Sequence, residues 1–317
     1  MPTEPSRERP TRVGERYELT SPISTGGMGQ VWRGYDTVLD REIAVKLIRP
    51  DVARNPEETA ELAARFRREA KVTARIEHSA VPAVYDADID GPTERLYLVM
   101  QLVRGVPLSD VIAEDAPLPV ETAASIAAQV CSVLSYAHAV PAVHRDLKPS
   151  NVLIADEGAV KVLDFGIAAV LRTDVTRLTA TGTKLGTFAY MPPEQVLGGG
   201  VSPASDLYSL GCVLFELCTG RRVFPGGTDY VVQDQHVKTA PTPPRELCPD
   251  LPEALERLIL HLLAKNPEER PADPQEVYGR LAPFLPVPAS ADEAEPAAPP
   301  GSLPDPTRPY RRPLAPR

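Results

Sequence analysis

Residues 142 to 154 read AVHRDLKPSNVLI. His144, Arg145, Asp146, Lys148 and Asn151 crowd between two short apolar runs, and Pro149 forbids a continuous helix through them. A surface loop has no use for such apolar flanks, and a core strand cannot bury so many charges unpaired. The segment must stand at the edge of a core and present polar groups from it. Further on, Asp164 ends the strand-like AVKVLD, and Gly158 lets the chain double back. A hairpin of this kind brings Asp146, Asn151 and Asp164 to one cleft. Two carboxylates and an amide form a hard-oxygen site suited to Mg²⁺, which keeps water and phosphate oxygens as its other ligands. One isolated Asp is an ordinary turn or cap residue; three groups ordered around a hairpin ask for a chemical explanation.

The N-terminal part has a different texture. RYELTSPIS, GQVWRGYD and REIAVKLI read as strands divided by Gly-rich and Asp-containing turns. In ISTGGMGQVW, Gly26 and Gly29 permit backbone amides to approach phosphate oxygens. Val31 and Trp32 then begin a strand. This argues against a dinucleotide fold, whose pyrophosphate rests on a helix N-terminus, and the GK[ST] of a P-loop is absent. Lys46 sits inside the apolar strand IAVKLI. A helix should follow, with Asn55 as N-cap, Pro56 in its first turn and Glu58 at the capping-box position. Along it Leu62, Phe66, Glu69, Thr73 and Ile76 recur at intervals of four and three, so Glu69 shares the apolar stripe. A strand lysine and a seam glutamate, each awkward alone, suggest an ion pair. VPAVYDADID and ERLYLVMQLV add two strands, and after Gly105 the pattern turns helical, beginning with VETAASIAAQVCSVLSYAHA.

Taken in order, the Gly-rich loop, the AVK lysine, the helix glutamate, HRDLKPSN, DFG and a Pro-Pro-Glu resemble the eukaryotic-like (Hanks-type) serine/threonine protein kinases of bacteria, closely those of actinobacteria. The resemblance spans about residues 14 to 285. It implies an α+β bilobal fold, with a small β-rich N-lobe (14–103) carrying one main helix and a larger, mostly helical C-lobe (104–285). It also implies ATP as phosphoryl donor, magnesium or manganese as the metal, and serine or threonine hydroxyls of proteins as acceptors. On that basis Lys46 holds the α/β-phosphates and is itself held by Glu69. Asp146 takes the hydroxyl proton, Lys148 neutralises charge near the γ-phosphate, and Asn151 and Asp164 bind the metal. Ile23, Ser24, Thr25, Gly26, Gly27, Met28, Gly29, Gln30 and Val31 form the phosphate-covering loop. Met100 is the gatekeeper, Gln101 and Val103 present backbone groups to adenine, and Ala44 and Leu153 join Val31 around the base. The sequence departs from the family pattern twice: Ser24 replaces the first glycine, and Pro192 stands where alanine is usual before Pro193-Glu194. Glu194 is expected to pair with Arg270, and Asp206 to brace the catalytic loop.

Arg145, immediately before Asp146, marks in this family a kinase switched by activation-loop phosphorylation. The loop contains TDVTRLTATGTKLGT. The resemblance puts Thr179 and Thr181 at the autophosphorylation positions and Thr187 in the substrate-binding floor, with transient homodimers serving trans-autophosphorylation. The alternative is a pseudokinase scaffold that binds nucleotide without transfer. With 24% charged and 43% apolar residues the composition is that of a globular protein, and a net charge of −9 argues against nucleic-acid partners. The four cysteines form no CxxC pair, and neither a signal peptide nor a membrane span is evident, so a cytoplasmic enzyme is expected. Residues 1–13 and the proline-rich 286–317 are expected to be disordered, because their composition buries too little surface to offset ordering entropy.

Overall fold

The computed structural model describes residues 11–26, 29–48, 56–90, 95–165, 188–289 and 302–312. The chain divides into two compact units. One comprises residues 1–74 and 82–103, the other residues 75–81 and 104–317. The seven residues 75–81, which follow the first helix, therefore belong with the second unit and not with the first, inside whose sequence range they fall.

The first unit is a six-stranded antiparallel sheet in the order β1-β2-β3-β4-β6-β5, with β1 Arg12–Val13, β2 Tyr17–Gly26, β3 Gly29–Asp36, β4 Arg41–Ile48, β5 Val84–Asp90 and β6 Arg95–Gln101. Strand alternation divides its side chains between two faces. Ile43, Val45, Leu47, Tyr97 and Val99 cluster with Val13, Tyr17 and Leu19, and Trp32 packs against them. The intervening residues share the opposite face. Register sets Lys46 across from Val31 on β3 and Leu98 on β6, and Ala44 across from Met100. The expected disorder of residues 1–13 fails at its end. Arg12 and Val13 pair with Glu18 and Tyr17, because Val13 finds a place in the core cluster and Arg12 an ion pair with Glu18.

Helix α1 runs Pro56–Thr73, and Pro56 opens it because a residue without a free N–H costs nothing at that position. Asn55 lies outside the described residues. Among the described side chains of residues 63–73, Ala63, Phe66, Ala70 and Thr73 are buried, three and four apart. Glu69 and Arg65 flank that stripe, both half-buried.

The second unit begins with a small sheet of β7 Gly105–Pro107, β8 Val152–Ala155 and β9 Val160–Val162, and with helices α2 Leu108–Asp115 and α3 Val120–Ala139. Then follow α4 Pro193–Val196, α5 Pro203–Thr219, α6 Asp229–Lys238, α7 Pro244–Leu247, α8 Glu253–Leu262 and α9 Pro274–Leu281. The apolar run from Leu207 to Cys218 is the central helix α5, buried on every side. Ser202 and Ser205 form a capping box at its start, and Gly220 ends it in the left-handed conformation. Gly211 lets α8 come close: a Cβ there would lie 2.7 Å from the Leu262 Cβ. Cys131, Cys212 and Cys218 are free and buried as small apolar groups. Among the described residues no helix is long and apolar enough to cross a membrane.

The expected disorder of residues 286–317 also fails in part. Residues 302–312 are ordered and contain a short turn of helix, α10 Arg308–Arg311, with Thr307 only 2% exposed. Average composition argues for a solvated tail, but a few residues can order when a neighbouring groove supplies their partners.

Asp36 ties the turns of the first unit together. Its fully buried carboxylate receives Nε and Nη2 of Arg16, each at 2.7 Å, and the backbone N–H groups of Val38 and Leu39 at 3.1 and 3.2 Å. The Arg16 hydrogen bond, partly opposed by burial, lowers its pKa from 3.8 to about 2. The stabilisation is therefore full above the unfolded value of 3.8 and is lost as pH falls through about 2. Asp36→Asn should cost about 2–3 kcal/mol at neutral pH, the worth of hydrogen bonds to a charged group. Denaturant unfolding from pH 7 down to pH 2 should show the gap between wild type and variant narrowing with acid.

Candidate active site

The polar stretch from His144 to Asn151 is held from below by one carboxylate. Asp206, on α5 and 1% exposed, accepts the backbone N–H of His144 at 2.9 Å through Oδ2 and that of Arg145 at 3.0 Å through Oδ1. His138 Nε2 lies 2.9 Å from Oδ2. Two adjacent amides can face one carboxylate only if the backbone turns sharply. Arg145 accordingly has φ +68, a conformation costly for a side chain with a Cβ.

His144 joins the loop to the hairpin. Its Nδ1 accepts the N–H of Asp146 at 3.2 Å, so the ring carries its proton on Nε2, which donates to the Leu163 carbonyl at 2.8 Å. The Phe165 ring packs against it at 4.6 Å between centroids. On the other side, Leu163 N–H donates to the Asn151 carbonyl at 2.8 Å. The β8–β9 ladder pairs Val152 with Val162 and Ile154 with Val160, and so brings Asp164 beside the backbone of Asn151. Asp164 itself has φ +63. The two non-glycine residues with left-handed backbone in this region thus flank the same pair of strands.

Above that scaffold the side chains meet. Lys148 Nζ is 2.7 Å from Asp146 Oδ2, and Asn151 Nδ2 donates to the Asp146 carbonyl at 2.8 Å and to its Oδ2 at 3.1 Å. Fixing the Asn151 amide through its nitrogen commits its Oδ1 to acceptor chemistry, the kind a hard cation takes. No cluster of three or more His, Cys, Asp or Glu able to hold a metal occurs among the described residues. A donor set of one carboxylate and one amide oxygen fits Mg²⁺, which retains water and phosphate ligands, and does not fit a metal that wants a closed protein cage. Asp146 and Lys148 also line a small hollow with Tyr190, Met191, Pro192 and Gln195.

In the first unit Lys46 is 5% exposed on the sheet face it shares with Val31, Ala44 and Met100. Gly29 has φ +147, and a Cβ there would stand 2.0 Å from the Leu47 carbonyl oxygen, so the hairpin closes only on glycine. Ser24 pairs with Val31, Thr25 with Gln30 and Gly26 with Gly29, while Ile23 is 53% exposed. Gly27 and Met28 lie outside the described residues, as do Thr179, Thr181 and Thr187. Gln101 is exposed and Val103 half-buried; in the second unit Leu153 is half-buried on β8.

Glu194, in the first turn of α4, meets Arg270 in a bidentate pair with both N–O distances 2.8 Å. Burial opposes ionisation of Glu194, but the hydrogen bonds from Arg270 and Ser205 outweigh it and hold its pKa below the ordinary carboxylate range. Arg270 also donates to the carbonyls of Ala264, Ala204 and Lys265. Sequence reasoning named the DFG motif but not the packing of Phe165 on His144, and it missed His138 and the buried pair of Tyr190 with Glu216. The glutamate inside the apolar run 207–218 was the one available signal for the last.

Residues 17–279 match the model of the protein kinase domain family, and the chain belongs to that family. It is 41% identical to the serine/threonine-protein kinase PknB of Mycolicibacterium smegmatis over 263 residues, 82% of this chain and 41% of that protein. The kinase of the same name from Mycobacterium tuberculosis is 40% identical over 263 residues. The chain thus spans about two fifths of the length of the curated relatives it matches. In fold it is similar to the crystal structure of the Mycobacterium tuberculosis PknI kinase domain, with a TM-score of 0.68 at 24% identity over 86% of this chain and 97% of that one.

Removing one partner of the buried pair leaves the other charge uncompensated. Arg270→Met should therefore destabilise the second unit by about 3–5 kcal/mol. Denaturant unfolding of the variant is the check. A loss below about 1 kcal/mol would mean that the pair is no more than a surface contact.

Proposed function

We propose that the chain is an ATP-dependent serine/threonine protein kinase acting on hydroxyls of protein substrates in the cytoplasm. The observation that carries this is the hydrogen-bonded group of Asp146, Lys148 and Asn151, joined through one hairpin to Asp164. Asp146 orients the acceptor hydroxyl and takes its proton as the oxygen attacks the γ-phosphorus. The bond from that phosphorus to the bridging β-γ oxygen breaks, and ADP leaves. Lys148, already beside the Asp146 carboxylate, offsets the negative charge that gathers on the transferred group. Lys46 holds the α/β-phosphates, Asn151 and Asp164 supply oxygens to Mg²⁺ or Mn²⁺, and the metal when bound neutralises phosphate charge. Such catalysis is positioning and electrostatics, with little covalent work for the protein.

Activation by autophosphorylation has its own support. Arg145 Nε is buried without a hydrogen-bond partner among the described residues. A buried donor left open is costly, and a phosphothreonine at Thr179 or Thr181, reached in trans within a transient homodimer, would supply the acceptor. The alternative is a pseudokinase scaffold that binds nucleotide without transfer. Against it stand Lys46, Asp146 and Asp164, the groups whose loss would disable transfer.

Transfer from γ-labelled ATP to a generic basic protein should fall about 10²–10⁴-fold in Asp146→Asn, the ordinary contribution of a positioned base. Unchanged labelling would overturn the assignment, and wild-type protein that binds ATP without labelling would favour the scaffold. Mass spectrometry of fully active protein should find Thr179 and Thr181 phosphorylated. An unmodified loop in such protein would refute that part alone.

A further inference from the structure

Gln129, half-buried on α3, divides its side-chain amide between two distant pieces of chain. Oε1 accepts the backbone N–H of Val160, the first residue of β9, at 2.9 Å, and Nε2 donates to the carbonyl of Pro306 at 3.0 Å. Reversing the amide would set donor against donor at Val160, so the two partners jointly fix its orientation.

The segment bearing Pro306 is seated by several further contacts. Gly158, in the β8–β9 turn, has φ +83, and a Cβ there would lie 2.0 Å from the Asp305 carbonyl oxygen. Thr307 donates its N–H and its hydroxyl to the Asp305 carboxylate at 2.9 and 2.7 Å. Arg308 reaches the Glu157 carbonyl at 3.4 Å, Arg311 meets the Glu121 carboxylate at 3.2 Å, and the Arg311 carbonyl accepts from Ala289 N–H at 2.9 Å. The fit is partial. A cavity of about 330 Å³ remains, lined among others by His78, Ser79, Lys161, Tyr278 and Tyr310. Contacts concentrated at the hairpin turn, beside unfilled space, describe a segment that can leave without unfolding what lies beneath it.

We propose that residues 302–312 form a detachable strut for the β8–β9 hairpin, with Gln129 as the positioning residue that couples the two. With the strut docked, the Gln129 amide is held and pins Val160. The ladder from Val160 to Val162 then fixes the hairpin's other end, where Asn151 and Asp164 stand. With the strut released, Nε2 loses its acceptor and the amide is free to turn away from Val160. In its functional consequence the proposal rests on the kinase assignment above.

The test uses the full chain and two readouts, hydrogen exchange at the β8–β9 turn and the Mg²⁺ concentration for half-maximal transfer. Thr307→Asp sets a second carboxylate beside Asp305 in a nearly closed site and should undock the strut. It should raise exchange at Val160 and raise the Mg²⁺ requirement about three- to tenfold, the scale of one net hydrogen bond, with kcat at saturating Mg²⁺ little changed. Gln129→Leu should do the same, and the double variant should add little. Gln129→Glu keeps an acceptor for Val160 but cannot donate to Pro306, so it should loosen the strut while leaving Val160 largely protected. Should Thr307→Asp stay docked, a chain ending at residue 301 serves in its place. An undocked strut with unchanged Val160 exchange and unchanged Mg²⁺ dependence overturns the proposal. A wild type that transfers no phosphate would defeat the kinase assignment, while the exchange readout would still decide whether the strut exists.

Discussion

Asp206 gives both carboxylate oxygens to the backbone of His144 and Arg145, and the polar stretch from His144 to Asn151 keeps its shape because of it. A left-handed arginine and a histidine buried under a loop are each unfavourable in isolation. A buried carboxylate that would otherwise lack partners offsets both, and its own burial on α5 is tolerated because two amides and His138 surround it. The arrangement is mutual: the carboxylate satisfies the two amides of the loop, and the amides satisfy the buried carboxylate. His144 extends it to Leu163 and Asp146, so that one carboxylate indirectly sets the spacing of the groups proposed to hold metal and hydroxyl.

Much of this was legible in the sequence because the chemistry crowds into contiguous stretches. The hairpin from Asn151 to Asp164 could be read from its glycine and its apolar flanks, and α3 from its unbroken alanine-rich run. Long-range partners left fewer signals: the Glu194–Arg270 pair was expected from the family pattern, and the two side chains do meet. His138 carried no such signal, since a histidine near a helix end is usually a surface residue. The tail failed for a related reason. Composition averages over a segment, whereas docking is decided by whether a few atoms, here the carbonyls of Asp305 and Pro306, find a glycine and an amide waiting.

Helix α1 shows how far periodicity reaches. Intervals of three and four set Phe66 and Thr73 on one buried line together with Ala63 and Ala70, and Glu69 stands half-buried beside it. The pattern therefore locates the buried face of the helix. Which partner a charge at the edge of that face takes depends on what the neighbouring chain presents, and a hydrophobic pattern does not encode that.

The two departures from the family pattern can be judged by backbone geometry. Ser24 lies within the extended pairing of β2 with β3, opposite Val31, where any residue can sit. The glycine that the hairpin cannot lose is Gly29, with its positive φ and the Leu47 carbonyl where a Cβ would be. Pro192 has φ −69 and ψ 150, a conformation proline adopts without strain and the one a residue preceding Pro193 is pushed toward. Having no N–H costs it little at the N-cap of a four-residue helix. Glu194 still projects from the first turn into the fork of Arg270. Both substitutions therefore fall where the fold tolerates a range of residues, while the positions that geometry restricts to one residue type keep it.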